Sequence, residues 1–201
     1  MSNYLLAFGC SKIVKEIENF FLLNGNDSSE ISVSVINQSV SLLAISKSQR
    51  IIEIEDSKYF FRGWFQDHES RGIVLGGNGF KDWVKDEVNR ELVMETDYEG
   101  AYVSAILSDE KLSVRNDTFS YLPVIHFSSK KLFVCSDSMY IVSEVRKALG
   151  MPCKLNKEVM HSRAWTHGLA CAVMSNQTQI EGVELLSPGK HIEIEIQKKM
   201  F

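Results

Sequence analysis

The chain has 201 residues, of which 44% are hydrophobic, and this length and composition suit one globular domain with a sizeable core. Its net charge is −4 and its Lys and Arg residues are scattered, so we expect no nucleic-acid partner. No apolar run reaches the ~18 residues of a membrane span, and the N-terminus lacks the basic start of a secretory signal. We therefore expect a cytoplasmic protein with no membrane association.

The N-terminal segment predicts a strand followed by a helix. Residues 3–9 form a short apolar run ended by Gly9, which is typical of a buried strand. Residues 11–25 carry apolar side chains at helical spacing, with Ser11 as the N-cap and Gly25 as the stop.

Short β-rich runs with frequent alternation dominate the rest of the chain. They predict strands at 31–38, 40–46, 50–56, 59–65, 72–77, 101–109, 111–117, 122–128 and 131–137. A turn at 188–189 is followed by a final alternating strand that ends at 196. Residues 79–92 are amphipathic and predict a helix or an irregular segment. Helices are predicted at 138–150, ended by Gly150, and at 156–170, capped by Asn156.

The order of these elements indicates the fold class. Hairpin turns rather than crossover helices join most of the strands, which favours antiparallel pairing. The sequence therefore predicts an α+β fold of mainly antiparallel sheets with helices packed outside them. It contains no internal repeat and no low-complexity linker, so residues 1–201 are predicted to form a single domain.

The cysteine and histidine residues form no recognisable metal motif. No C-x-x-C pair occurs and no histidine completes a zinc spacing with the four cysteines, which are Cys10, Cys135, Cys153 and Cys171. His161 and His167 are six residues apart, which would place them on different faces of a helix. We expect reduced, mostly buried thiols, no metal site and no cofactor.

Several segments match, in order, the motifs of one known domain. They are Glu99–Tyr102 (D-G-x-[FY]), Arg115–Asp117 (R-D), Ser120–Val124 (G-x-x-P-L-Y-Y), Phe133–Asp137 (F-A-S-E) and Gly182–Ile194 (G-[IV]-x-x-L-x-P-G-x-x-[LI]). In this order they resemble the glutaminase domain of the asparagine and β-lactam synthetases, which are class II glutamine amidotransferases. The resemblance implies the four-layer αββα sandwich of the N-terminal-nucleophile hydrolases.

The resemblance also implies which residues stand at the catalytic positions. Ser2 stands where the family has its N-terminal Cys nucleophile, and a hydroxyl is far less acidic than a thiol. Arg62 replaces the Asn of the family's oxyanion hole, whereas the adjacent Gly63 is kept. Cys10 follows the first strand instead of beginning it and does not replace the nucleophile.

The substrate-binding positions have changed as well. Arg50 matches the family's Arg that pairs with the glutamine carboxylate, for which a bidentate fork is suited. Asn78 or Gly79 stands in place of the Asp that holds the substrate amine, and Asp82 is a weak substitute by position. Because nucleophile, oxyanion and amine-binding positions all differ, we expect ordinary glutaminase activity to be lost.

Two aromatic groups each have two interpretations. In the family, the loop corresponding to the turn at 115–127 helps to form the wall between the ammonia-producing site and the synthetase domain. Alternatively it is a hairpin loop held by Pro123 and packed by Phe119 and Tyr121. The second group forms either an interface patch or packing around a sheet edge, and it consists of Trp64, Phe65 and Trp83.

Three functional hypotheses remain open. The chain has no S-G-G-x-D-S loop for ATP pyrophosphate, so we expect no ATP-pyrophosphatase domain in it. The first hypothesis is a stand-alone pseudoenzyme that serves as a structural or partner-binding subunit of a separate ATP-dependent, amide-forming synthetase, or that binds a small amide or amino acid. The second is an active amidohydrolase that uses Ser2. The third is an unrelated α+β protein.

Overall fold

The computed structural model describes residues 3–93, 97–108, 111–160 and 176–195. The strands are β1 Tyr4–Cys10, β2 Ile31–Val35, β3 Val40–Ser46, β4 Ile52–Ile54, β5 Ser57–Gln66, β6 Ile73–Leu75, β7 Glu99–Ser108, β8 Lys111–Asn116, β9 Ile125–Ser129, β10 Leu132–Ser136, β11 Glu184–Leu185 and β12 His191–Glu195. The helices are α1 Ser11–Leu23, α2 Gly76–Trp83, α3 Glu87–Leu92 and α4 Met139–Ala148, and a short 3-10 helix covers Ser28–Glu30.

The described strands form two sheets. The first has the order β11-β9-β10-β1-β3-β2, and the second has the order β12-β8-β7-β5-β4, with β6 also paired to β5. Each pairing between these strands is antiparallel. The prediction of mainly antiparallel sheets is therefore confirmed.

The two sheets pack face to face over a shared apolar core. Leu6 and Ala44 of the first sheet and Phe60 and Val114 of the second are among its buried side chains. Helices α1 and α4 cover the outer face of the first sheet. Helix α2 covers the outer face of the second sheet, where its Phe80 is buried. The layers thus run helix, sheet, sheet, helix, and the α+β fold with a four-layer αββα sandwich is confirmed.

The start of α1 differs by one residue from the prediction. Ser11 is the first helical residue, and Cys10 holds the N-cap position without a side-chain hydrogen bond to the helix. The Ser11 hydroxyl instead hydrogen-bonds the Ser41 hydroxyl at 2.8 Å, and so joins the helix to β3. Gly25 follows the helix end with a φ of 91°, which glycine adopts readily, so the predicted stop is confirmed.

The amphipathic segment 79–92 belongs to two short helices. Helix α2 begins earlier, at Gly76, and ends at Trp83. Helix α3 has its own cap, because the Asp86 carboxylate accepts a hydrogen bond from the Val88 N–H at 3.0 Å. The predicted helix 156–170 lies mostly outside the described residues.

Three cysteines fall within the described residues, and all three are free thiols. Cys135 is buried, whereas Cys10 and Cys153 are only half-buried, so the expected burial holds for one of the three. Cys171 lies outside the described residues. Across the described ranges, no group of three or more His, Cys, Asp or Glu side chains is arranged to hold a metal ion. None of the helices described is long and apolar enough to cross a membrane.

Candidate functional site

An ion pair joins the two sheets at the start of β1. Arg62 lies on the same face of β5 as the core residue Phe60, so its side chain is directed toward the first sheet. Its Nη1 atom lies 2.8 Å from Oδ2 of Asp137, just beyond β10, and the two side chains are 14% and 12% exposed. Oδ1 of Asp137 accepts a hydrogen bond from the Tyr4 N–H at 3.2 Å. The pair therefore ties β5, β10 and β1 together where the first strand begins.

The Tyr4 side chain fills the space beneath this ion pair. The Arg62 guanidinium carbon lies 5.4 Å from the centre of the Tyr4 ring, which is a cation–π contact. The Tyr4 and Phe60 rings are 5.6 Å apart, and the Tyr4 hydroxyl donates a hydrogen bond to the Pro123 carbonyl at 3.5 Å. Burial raises the pKa of the Tyr4 phenol, which therefore stays protonated as a donor.

A cleft of about 310 Å³ opens on the β3 side of β1. Tyr4 is the register partner of Ser46, the last residue of β3, and Ser46 forms part of the cleft wall. Arg50, from the loop after β3, and Asn78, from the first turn of α2, line the same cleft. The ion pair and the cleft thus lie on opposite sides of the beginning of β1.

The structure brings two of the predicted site residues, Arg50 and Asn78, together in the cleft. Arg50 and Asn78 share the cleft, and both are exposed. Arg62, Gly63 and Gly79 are absent from its lining, and the Arg62 side chain is held by Asp137 instead. Ser2 lies outside the described residues.

Gly63 has an architectural role that the resemblance did not indicate. It has a φ of 108° and pairs with Tyr102 across the β5–β7 ladder. A Cβ atom at this position would collide with the Ala101 carbonyl oxygen and would lie 2.8 Å from the Tyr102 Cα. Only glycine allows the two strands to approach this closely.

Asp82 forms a surface ion pair away from the cleft. Its carboxylate accepts a hydrogen bond from Lys85 at 2.7 Å, and 75% of its side chain is exposed. This surface pair lowers the pKa of Asp82 through the hydrogen bond from Lys85, and Asp82 is absent from the cleft wall.

Sequence reasoning missed several residues of the cleft and of the ion pair. The cleft wall also contains Lys47, Gln49 and Lys81. Ser46 could have been found from the sequence, because it is a polar residue at an inward position of β3, whose other inward residues are apolar. Asp137 belongs to a matched motif, but the resemblance assigned it no role. Its partner Arg62 is 75 residues away in the chain, so local sequence gives no sign of the pair.

The turn at 115–127 is organised around a buried carboxylate. Asp117 is fully buried, and its two oxygens accept backbone hydrogen bonds from Tyr102, Phe119, Tyr121 and Leu122 at 3.0–3.3 Å. Phe119 and Tyr121 are 72% and 68% exposed and contact each other at 5.7 Å. The interpretation that these two rings pack the loop is therefore wrong, since Asp117 holds it.

The second aromatic group is mostly packing. Phe65 is 1% exposed and contacts the half-buried Trp83 edge-on at 5.0 Å, beneath α2. Trp64, on the opposite face of β5, is 44% exposed and pairs with the exposed Leu75 of β6. The three residues therefore do not form one patch.

Replacing Arg62 by Met is expected to lower the free energy of unfolding by about 3 kcal/mol, because Asp137 then remains mostly buried without its cation. Methionine keeps much of the apolar stem of arginine, so the lost free energy of unfolding is attributed to the missing guanidinium charge. Urea unfolding measures the change. Lys85→Met removes the exposed pair with Asp82 and should change stability by less than about 0.5 kcal/mol. Equal effects of the two substitutions would contradict this account of the ion pair.

Comparison with known proteins gives similarity to solved structures but no match by sequence. No protein-family model matches the sequence, and no curated protein matches it. Among solved structures, glutamine phosphoribosylpyrophosphate amidotransferase from B. subtilis, complexed with ADP and GMP, is similar at 10% identity with a TM-score of 0.44. The match covers 71% of this chain and 43% of that protein. That protein is a glutamine amidotransferase by name, but values this low transfer no residue role, ligand or activity to this chain.

Proposed function

We propose that this chain is a glutamine-amidotransferase-like domain that no longer hydrolyses glutamine and that serves as a structural or partner-binding subunit. The observation that carries this proposal is the ion pair between Arg62 and Asp137. Arg62 stands where the resemblance places the Asn of the oxyanion hole. Its side chain is committed to a structural contact between the two sheets.

The chemistry of that position supports the loss of activity. An oxyanion hole needs a donor that is directed at the developing negative charge and is not already neutralised by a carboxylate. Here the donor Nη1 of Arg62 is bonded to Asp137, whose other oxygen accepts the Tyr4 N–H. Loss of one oxyanion donor typically raises the activation free energy by ~2.7–4 kcal/mol. Serine in place of cysteine further weakens the nucleophile, because its hydroxyl is much less acidic.

Exposed aromatic side chains support the partner-binding role. Phe119 and Tyr121 are presented to solvent on a loop whose backbone is hydrogen-bonded to the Asp117 carboxylate. Aromatic residues are enriched at protein interfaces, and a preorganised loop loses little entropy on binding. By the resemblance, the partner is a separate ATP-dependent, amide-forming synthetase.

A glutaminase assay combined with mass spectrometry tests the loss of activity. The protein is incubated with L-glutamine, and separately with the glutamine-mimicking electrophile 6-diazo-5-oxo-norleucine. We expect no ammonia release above that of a Ser2→Ala variant and no adduct on Ser2 by intact-mass and peptide analysis. An adduct on Ser2, together with amidase activity that Ser2→Ala abolishes, would replace this proposal with the alternative of an active amidohydrolase.

Co-purification tests the partner role. The tagged chain is isolated from its own host, and proteins bound to it are identified. We expect a protein with the S-G-G-x-D-S loop of an ATP-pyrophosphatase domain, and weaker recovery of it with a Phe119→Ser, Tyr121→Ser variant. Because both rings are exposed, this variant should fold normally, which circular dichroism checks. Recovery of the chain alone would contradict the role.

A further inference from the structure

We propose that the cleft beside β3 binds a small phosphate-bearing molecule. The cleft is about 310 Å³, which is within the size range of small-molecule sites. Its wall is formed by the end of β3, the following loop and the first turns of α2. Binding in this cleft does not require the domain to have kept glutaminase activity.

Three cations line the cleft without a carboxylate among its lining residues. They are Lys47, Arg50 and Lys81. No salt bridge joins any of the three to another residue within the described ranges. Asp82, next to Lys81 in the chain, pairs instead with Lys85. The cleft is therefore a local concentration of positive charge on a chain whose net charge is −4.

The N-terminus of α2 contributes to the same wall. Gly77 and Asn78, the second and third residues of this eight-residue helix, line the cleft. The first N–H groups of a helix lack intrahelical acceptors, and the N-cap residue Leu75 offers no side-chain acceptor. Because a helix N-terminus carries partial positive charge, these N–H groups suit an anion.

Buried polar atoms without a partner give an independent indication of a ligand. The Ser46 side chain is 4% exposed, and its Oγ atom has no hydrogen-bond partner in the part of the chain that is described. The Oε1 atom of Gln49 is also buried and has no hydrogen-bond partner among the described residues. It lies so close to Gly77 that a Cβ atom at Gly77 would collide with it. Buried polar groups are nearly always paired, and the Ser46 hydroxyl can donate to an anionic occupant of the cleft. The Gln49 Oε1 atom is an acceptor, so it pairs only with a protonated oxygen, which a singly charged phosphate carries.

The arrangement of donors favours phosphate over a simple carboxylate. One guanidinium nitrogen of Arg50 already donates to the Ser29 carbonyl at 2.5 Å, so its fork is not wholly available for bidentate pairing. A phosphate monoester carries a charge of about −1.5 to −2 at pH 7 and has three acceptor oxygens. It can therefore accept from ammonium, guanidinium and backbone N–H groups that approach from different sides of the cleft.

Titration with inorganic phosphate, followed by NMR and calorimetry, tests the proposal. Phosphate, glycerol 3-phosphate, L-glutamate and L-glutamine are each added at constant ionic strength. We expect saturable binding of the two phosphates, with the largest amide shifts at Gly77 and Asn78. Arg50→Gln and Lys81→Gln should each weaken binding about tenfold, which corresponds to about 1.4 kcal/mol. The matched control Lys85→Gln, whose lysine is outside the cleft, should change the affinity less than twofold.

Three outcomes would overturn the proposal. Absence of saturable binding by either phosphate is the first. The second is equal weakening by Lys81→Gln and Lys85→Gln, because it would show only general surface charge. The third is tighter binding of L-glutamine or L-glutamate, lost in the Arg50→Gln variant, which would identify an amino-acid site instead. None of these outcomes predicts the result of the glutaminase assay. Phosphate binding and the loss of glutaminase activity can therefore be disproved independently of each other.

Discussion

Replacing Gly63 by Ala is expected to lower the free energy of unfolding by about 3–5 kcal/mol, a large share of the stability of an ordinary domain. Two costs combine in this expectation. The φ of 108° is a conformation that residues with side chains rarely adopt. The new Cβ would also collide with the Ala101 carbonyl, a backbone atom of the paired strand β7 that cannot rotate away.

Gly79→Ala is the matched control for this substitution. Gly79 lies in α2, and the nearest atom to a Cβ there, the Val74 carbonyl carbon, is at 3.8 Å, an ordinary contact. Alanine also favours the helix over glycine, so this variant should gain up to ~1 kcal/mol. Urea unfolding of both variants gives the comparison. If Gly63→Ala does not fold, its soluble yield beside that of Gly79→Ala gives the same answer. Unchanged stability in Gly63→Ala would contradict the close approach of β5 and β7.

The fold class could be predicted from the sequence because local patterns determine the layers. Alternation along β3 places Leu42 and Ala44 toward the second sheet and Leu43 and Ile45 toward α1 and α4. Element ends were harder to predict, since they depend on contacts between distant segments. Ser11 is a good N-cap by type, but the Ser41 hydroxyl from β3 binds its side chain instead.

The candidate site could be predicted only in part, for a related reason. Resemblance located Arg50 and Asn78, which do share a cleft. It located Arg62 by position and gave no sign that Asp137, which follows β10 of the other sheet, would bind its guanidinium. Such a pairing depends on how two sheets stack, and no spacing along the chain encodes that distance.

The second large expected effect is that of Asp117→Asn, which should lower the free energy of unfolding by about 3–5 kcal/mol. The Asp117 carboxylate accepts four backbone N–H groups and is fully buried. An amide keeps one oxygen and turns an NH₂ group toward two N–H donors that then lose their acceptor. Each buried donor left without a partner costs about 1–3 kcal/mol.

Urea unfolding measures this loss, and hydrogen exchange shows where it arises. We expect protection to be lost first at one of the two pairs of amides that share an Asp117 oxygen, which are Phe119 with Tyr121 and Tyr102 with Leu122. Asp82→Asn, at a carboxylate that is 75% exposed, should change stability by less than about 0.5 kcal/mol. Loss of protection spread evenly over both sheets would contradict a local role for Asp117. If the loop does carry the partner surface, Asp117→Asn should also weaken partner binding, because Phe119 and Tyr121 would no longer be held in place.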